Sequence, residues 1–275
     1  MDAAGSPVCV GLDPVVERIP PEVHASSGST TLARFSLGII DAVRGVVPCI
    51  KIQAACFERY GPEGFKALEE VMASAKSAGF VTILDAKRGD IGISAEHYAA
   101  ALFGHFSADW CTANAYLGMD GVTPFLARGG VFALVRTSNP ASDALQSLLL
   151  RDGRSVAEAV ASLVAATGAE SIGTRGFSSL GAVVGATKAQ DATALRTLMP
   201  NQLFLVPGYG AQGGTADDVR PCFRSDGRGA IVTASRSVIY PTCKPGEHWK
   251  SAVERAAHSF AAEVRAVCCP AAAHP

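Results

Sequence analysis

The stretch VTILDAKRGDIG, residues 81–92, decides how the chain is read. It opens as an apolar run with the residue types of a buried strand, then breaks into Asp85, Lys87, Arg88 and Asp90. In an extended chain alternate side chains share a face, so Asp85 and Lys87 continue the row that holds Val81 and Ile83. Gly89 is expected to let the chain turn sharply. Asp90 then follows the turn, outside the alternation. A lone Asp-x-Lys at a strand end is more often a solvated surface pair, so the surroundings of this one decide its meaning.

Working outward, seven further runs share its character: VCVGLD (8–13), VVPCIKIQ (46–53), DWCTAN (109–114), GVFALVRTS (130–138), LGAVVGAT (180–187), QLFLVPG (202–208) and GAIVTASR (229–236). Longer helix-like segments separate them. GPEGFKALEEVMASAKSAGF (61–80) has Phe65, Leu68, Val71 or Met72, and Ala75 at helical spacing, Pro62 near its start and Gly79 near its end, which reads as an amphipathic helix lying on a sheet. Eight strands alternating with helices favour the (β/α)8 or TIM barrel over an open doubly wound sheet. No Pro-, Gly- or charge-rich linker divides residues 1–275, so one barrel domain is expected. The connection over 139–179 is long; its SVAEAVASLVAATG is expected to be helical, with flanks that form part of a lid. The tail CCPAAAHP is expected to fray.

Composition narrows the function. The 275 residues carry a formal net charge of −1 and 48% apolar residues, enough to bury a large core but without the basic field that nucleic acid would demand. Eight cysteines show no C-x-x-C pair and no zinc-ligand spacing with histidine, so reduced thiols in the cytoplasm are expected. The start MDAAGSPVCVGLDP lacks the marks of a signal peptide, and no run approaches the roughly 18 apolar residues of a membrane span. A soluble cytoplasmic protein without metal or cofactor is the expectation. The six histidines fall mostly in helix or loop segments and receive no catalytic role.

Barrel chemistry gathers at the C-terminal ends of the strands. Read in order, those ends give Asp13, Lys51, Asp85 with Lys87, Asn114, Ser138, Thr187, a Gly-rich turn, and Ser235 with Arg236. A single lysine such as Lys51 at the end of an apolar run would more often snorkel to solvent. Two lysines converging with several aspartates on one mouth supply partners for each other, as half-buried charges require. The turn VPGYGAQGGT (206–215) follows the seventh strand and ASRSV the eighth. Loops in those two places cradle phosphate in this fold; Gln212 adds an amide donor and Arg236 a bidentate guanidinium.

VGLDP, LDAKRGDIG, TSN, PGYGAQGG and SR together resemble orotidine 5'-phosphate decarboxylase of the longer bacterial subgroup, from about residue 8 to about residue 240. The resemblance implies a homodimeric barrel with no metal or organic cofactor, converting orotidine 5'-monophosphate to UMP and CO2. It implies that Lys51, Asp85, Lys87 and Asp90 form a charged tetrad, Asp90 reaching across the dimer interface, with Lys87 as proton donor. It further implies that Asp13 contacts the ribose, Ser94 the ribose or the interface, Ser138 and Gln212 the pyrimidine, and Gln212, Gly213 and Arg236 the phosphate end. Ala115 stands where this subgroup usually has proline, and little chain precedes the first strand. The chemistry suits the residues. Loss of CO2 from C6 leaves an in-plane carbanion that the π system cannot delocalise, and a fixed ammonium beside it supplies both stabilisation and a proton.

Three other readings share the barrel. A sugar-phosphate decarboxylase or aldolase would keep Asp-x-Lys-x-x-Asp but commonly uses Mg²⁺ with a further carboxylate near strand two, where this chain has Lys51. A Schiff-base aldolase would want a desolvated lysine of low pKa, whereas aspartates crowd Lys87. A catalytically silent nucleotide-binding relative would be expected to lose one of the four charges, and all four are present.

Overall fold

The computed structural model describes residues 6–210 and 212–268; the CCPAAAHP tail after Cys268, expected to fray, and Ala211 of the Gly-rich turn lie outside them. Eight parallel strands close into a barrel in sequence order: β1 Val8–Leu12, β2 Cys49–Gln53, β3 Val81–Arg88, β4 Trp110–Ala113, β5 Gly130–Arg136, β6 Ser178–Val184, β7 Gln202–Val206 and β8 Ala230–Ala234. All eight apolar runs hold a strand, most of them shorter than the run, because the flanking residues belong to the turns at the barrel ends.

Alternation sorts the side chains. Cys9, Cys49, Ile83, Phe132, Val183, Leu205 and Ile231 fill the barrel interior with Val81 and Trp110, and the Trp110 and Phe132 rings stack with centroids 4.6 Å apart. The opposite faces pack against the surrounding helices, where each fully buried aliphatic or aromatic side chain is worth about 1.5–3 kcal/mol. The helix Gly61–Ser77 buries Ala67, Leu68, Val71, Met72 and Ala75, a stripe of helical period. Phe65, expected in that stripe, is exposed instead and packs on the Phe106 ring.

One departure from the sequence reading lies near the mouth. β3 does not run extended to its end: Lys87 has φ +46°, and the pairing of β3 with β4 shifts register between Leu84 and Arg88. The turn therefore falls on Lys87 rather than Gly89. Gly89 serves close approach, since a Cβ there would lie 3.0 Å from the Asn114 carbonyl oxygen. The long connection folds as a helix Asp143–Gln146, an antiparallel bridge between Leu149 and Ser155, and a helix Val156–Gly168. Ser155 and Glu158 form a reciprocal capping box at the start of the last, which satisfies two otherwise orphaned backbone donors. Among the described residues no helix is long and apolar enough to cross a membrane.

Candidate active site

Strand pairing brings the charges together. Lys51 of β2 stands beside Gly11 of β1 and Ile83 of β3, and Gln53 beside Asp85. Asp85 is the hub. Its Oδ2 accepts from Lys51 Nζ at 2.7 Å and Gln53 Nε2 at 3.3 Å, and its Oδ1 from Lys87 Nζ at 2.6 Å and Thr112 Oγ1 at 2.9 Å. Lys51 Nζ also donates to Asp13 Oδ1 at 3.4 Å. Lys51 and Asp85 are nearly sealed from solvent, whereas the Lys87 side chain is 48% exposed. Burial opposes the charge on each of the two inner groups, and their neighbours outweigh it. Asp13 and Asp85 hold Lys51 well above the ordinary lysine range, and Lys51 and Lys87 hold Asp85 well below the usual carboxylate range. The inner pair is thus a fixed dipole, and Lys87 is the ammonium with room to move.

The left-handed backbone of Lys87 aims it. A non-glycine residue in this region costs about 1–3 kcal/mol and persists where the surroundings over-determine it. Here the Lys87 N–H donates to Thr112 Oγ1 at 3.0 Å and the Asn114 N–H to the Arg88 carbonyl at 2.7 Å. Arg88 is itself held by an ion pair with Glu58 and lies over the Tyr98 ring. One hydroxyl, that of Thr112, therefore ties the backbone of Lys87 to the carboxylate that binds its side chain.

A cavity of about 600 Å³ opens above this array. Asp13, Lys51, Asp85, Lys87 and Thr112 line one side, and Leu134, Val183, Leu205, Leu145, Val156 and Val160 give apolar walls. Ser138, Gln212 and Arg236 also line it. Ser138 and Gln212 meet over Gly208, where a Cβ would lie 3.2 Å from Gln212 Oε1 and 3.3 Å from Ser138 Cβ. The Gly-rich turn closes on itself: the N–H groups of Gly210, Gly213 and Gly214 donate to the carbonyls of Gly214, Gly210 and Gly208. Gly213 is absent from the cavity lining, as are Ser94 and Asp90. The Asp90 carboxylate accepts from the Ile91 N–H at 2.8 Å, on a face that also exposes Ile91, Ile93, Tyr116 and Leu117. Thr187 serves the loop, donating from Oγ1 to the Ser138 carbonyl at 2.9 Å. Thr233 lines the cavity floor with a buried hydroxyl that finds no partner among the described residues. No three His, Cys, Asp or Glu side chains among the described residues cluster as a metal site would need.

A family model described as orotidine 5'-phosphate decarboxylase / HUMPS family matches residues 6–252. The chain belongs to this family. A relative named orotidine 5'-phosphate decarboxylase from Rhodopirellula baltica is 42% identical over 255 residues, covering 86% of this chain and 84% of its own. One of the same name from Clostridium perfringens is 37% identical over 268 residues, with 94% and 93% covered. The structure of Leishmania donovani OMP decarboxylase superposes with a TM-score of 0.79 at 31% identity, covering 98% of this chain and 96% of that one. The local geometry adds groups that the D-x-K-R-G-D motif leaves out. Thr112, Gln53 and Gln146 all line the cavity. Thr112 and Gln53 fall inside or at the end of strand runs, and only the inward alternation of β4 and β2 would have singled them out.

Proposed function

We propose that this single barrel domain decarboxylates orotidine 5'-monophosphate to UMP and CO2 in pyrimidine biosynthesis, in the cytoplasm and without metal or organic cofactor. The observation that carries the reading is the Lys51, Asp85 and Lys87 array at the floor of one cavity whose far rim holds Gln212 and Arg236. Phosphate goes to that rim, the ribose to Asp13, and the pyrimidine to Ser138 and Gln212 against the apolar walls. Lys87 then stands beside C6. As the C6 to carboxylate bond breaks, the electron pair stays on C6, CO2 leaves, and Lys87 Nζ delivers a proton to the in-plane carbanion. Asp85 cannot relax away from this event, because Lys51, Gln53 and Thr112 pin both its oxygens. Enzymes typically lower barriers by about 8–23 kcal/mol, more than one ammonium supplies, so binding energy from the phosphate grip contributes to closing the site.

The fourth charge of the motif, Asp90, is absent from the lining of its own cavity and neighbours the exposed Ile91, Ile93 and Leu117. Tyr116, 78% exposed, joins that face to the cavity rim. The functional unit is a homodimer in which Asp90 and Ser94 serve the second copy's site. Mixing inactive Asp90→Ala with inactive Lys87→Ala protein restores up to roughly a quarter of the sites, since half the dimers are mixed and half their sites intact. Subunit exchange without recovered activity would place Asp90 in its own chain's site.

A sugar-phosphate reaction of the same family would call for a carboxylate where β2 carries Lys51. The deciding experiment follows the absorbance of orotidine 5'-monophosphate with protein dialysed against EDTA. Conversion to UMP is expected. Activity lost on chelation and regained with Mg²⁺ would move the chain to the sugar-phosphate branch.

A further inference from the structure

Arg136, the last residue of β5, is 2% exposed. The register of β5 against β6 shifts between Leu134 and Arg136, so Arg136 leaves the inward row of Leu134 and its side chain runs under the loop that follows. All five guanidinium N–H groups are used. Nε donates to Asp191 Oδ2 at 2.6 Å, one terminal nitrogen to Ser142 Oγ at 3.2 Å and Gln146 Oε1 at 3.5 Å, and the other to Asp143 Oδ1 at 2.6 Å and Ser147 Oγ at 3.0 Å. Lys188 closes the cluster, donating to Asp143 Oδ1 at 2.6 Å. Two cations thus meet two carboxylates.

Most of these partners lie on one piece of chain. Asp143 and Gln146 bound a four-residue helix, far too short to stand unaided, whose Leu145 and Gln146 line the cavity. Gln146 carries the constraint onward: its Oε1 accepts from the Thr137 N–H at 2.9 Å and its Nε2 donates to Thr137 Oγ1 at 2.9 Å. Thr137 precedes Ser138. Arg136 itself does not line the cavity, so it can act there only through these neighbours.

We propose that Arg136 is a positioning residue for the base-facing wall of the cavity, holding Ser138, Leu145 and Gln146 where a pyrimidine ring meets them. The inference rests on the decarboxylase reading and adds a division of labour to it. The wall fixed by Arg136 serves the base, whereas Asp13 and the loops after β7 and β8 serve the ribose phosphate. Removing the anchor therefore costs affinity only for ligands that carry the base.

The test compares two probes, UMP and ribose 5-phosphate, on the intact chain by calorimetry. In Arg136→Met the Kd for UMP is expected to rise about tenfold or more, the scale of losing charge-assisted bonds, while that for ribose 5-phosphate stays within about twofold. Asp143, more than half exposed, gives a second variant: Asp143→Ala loosens the same helix without touching the barrel and carries the test if Arg136→Met does not fold. Equal weakening of both probes, or no weakening of either, overturns the proposal. Wild-type protein that binds ribose 5-phosphate but not UMP would instead overturn the decarboxylase reading and this inference with it.

Discussion

Thr112→Val removes one oxygen atom and disconnects the two halves of the Lys87 arrangement. Thr112 Oγ1 donates to Asp85 Oδ1 at 2.9 Å and accepts from the Lys87 N–H at 3.0 Å. A hydrogen bond to a charged group contributes about 1.5–3 kcal/mol, and a buried donor left unsatisfied costs about 1–3 kcal/mol. Asp85 keeps three other donors, which discounts the first figure, and the Lys87 backbone can reach some water, which discounts the second. A net loss of about 2–4 kcal/mol is expected on that reasoning. The left-handed conformation of Lys87 adds a functional consequence. Without the anchor at its N–H the backbone can return to an extended conformation, recovering about 1–3 kcal/mol of strain and swinging Nζ off Asp85. Equilibrium denaturation should show a lower midpoint with unchanged slope, and turnover should fall more than stability alone explains. Thr112→Ser, which keeps the oxygen, is the control and should retain both. Thr112→Val protein with stability within about 0.5 kcal/mol of wild type, the range of an ordinary surface change, and with full turnover would refute the reasoning.

Two further outcomes follow from the same site. Asp85, depressed in the folded state, contributes stability that is fully present above its unfolded value near about 3.9 and is lost as pH falls toward its folded value; Lys51, raised in the folded state, contributes stability that is fully present below about 10.4 and is lost as pH rises toward its folded value. Stability measured at fixed temperature should therefore carry no slope from this pair between about pH 5 and 9, and Lys51→Met should flatten the alkaline loss. Thr233→Val, which deletes a buried hydroxyl without a partner among the described residues, should leave the fold as stable as before or up to about 1 kcal/mol more so, and calorimetry should find weaker UMP binding.

The barrel was legible because its strands are short apolar runs and its helices have apolar stripes of period 3.6, both consequences of burying one face of each element. That Asp13, Lys51, Asp85, Lys87, Ser138, Gln212 and Arg236 would line one cavity was legible because strand ends are where this architecture exposes chemistry. What escaped depends on contacts between distant parts of the chain. The left-handed Lys87 arises from a register shift against β4, and nothing within residues 81–92 distinguishes it from a turn at Gly89. Thr112 is 27 residues from Asp85 and reads locally as an ordinary β-branched strand residue. Arg136 reads as the polar end of an apolar run, and its role depends on Asp191, 55 residues on. Phe65 was misplaced because helical spacing alone allows a stripe two positions wide, and packing against the barrel turned Ala67, Leu68, Val71, Met72 and Ala75 inward and left Phe65 outside.

The claim that Lys87 protonates C6 is tested most directly by UMP formation from orotidine 5'-monophosphate, measured for wild type and Lys87→Ala at matched occupancy. Lys87 lies at the exposed end of the array, and without its ammonium the buried Asp85 still has Lys51, Gln53 and Thr112 as donors, so the variant is expected to fold and to bind UMP. Turnover should nearly vanish. A loss under tenfold, which is about 1.4 kcal/mol of barrier, would contradict the assignment of Lys87 as proton donor.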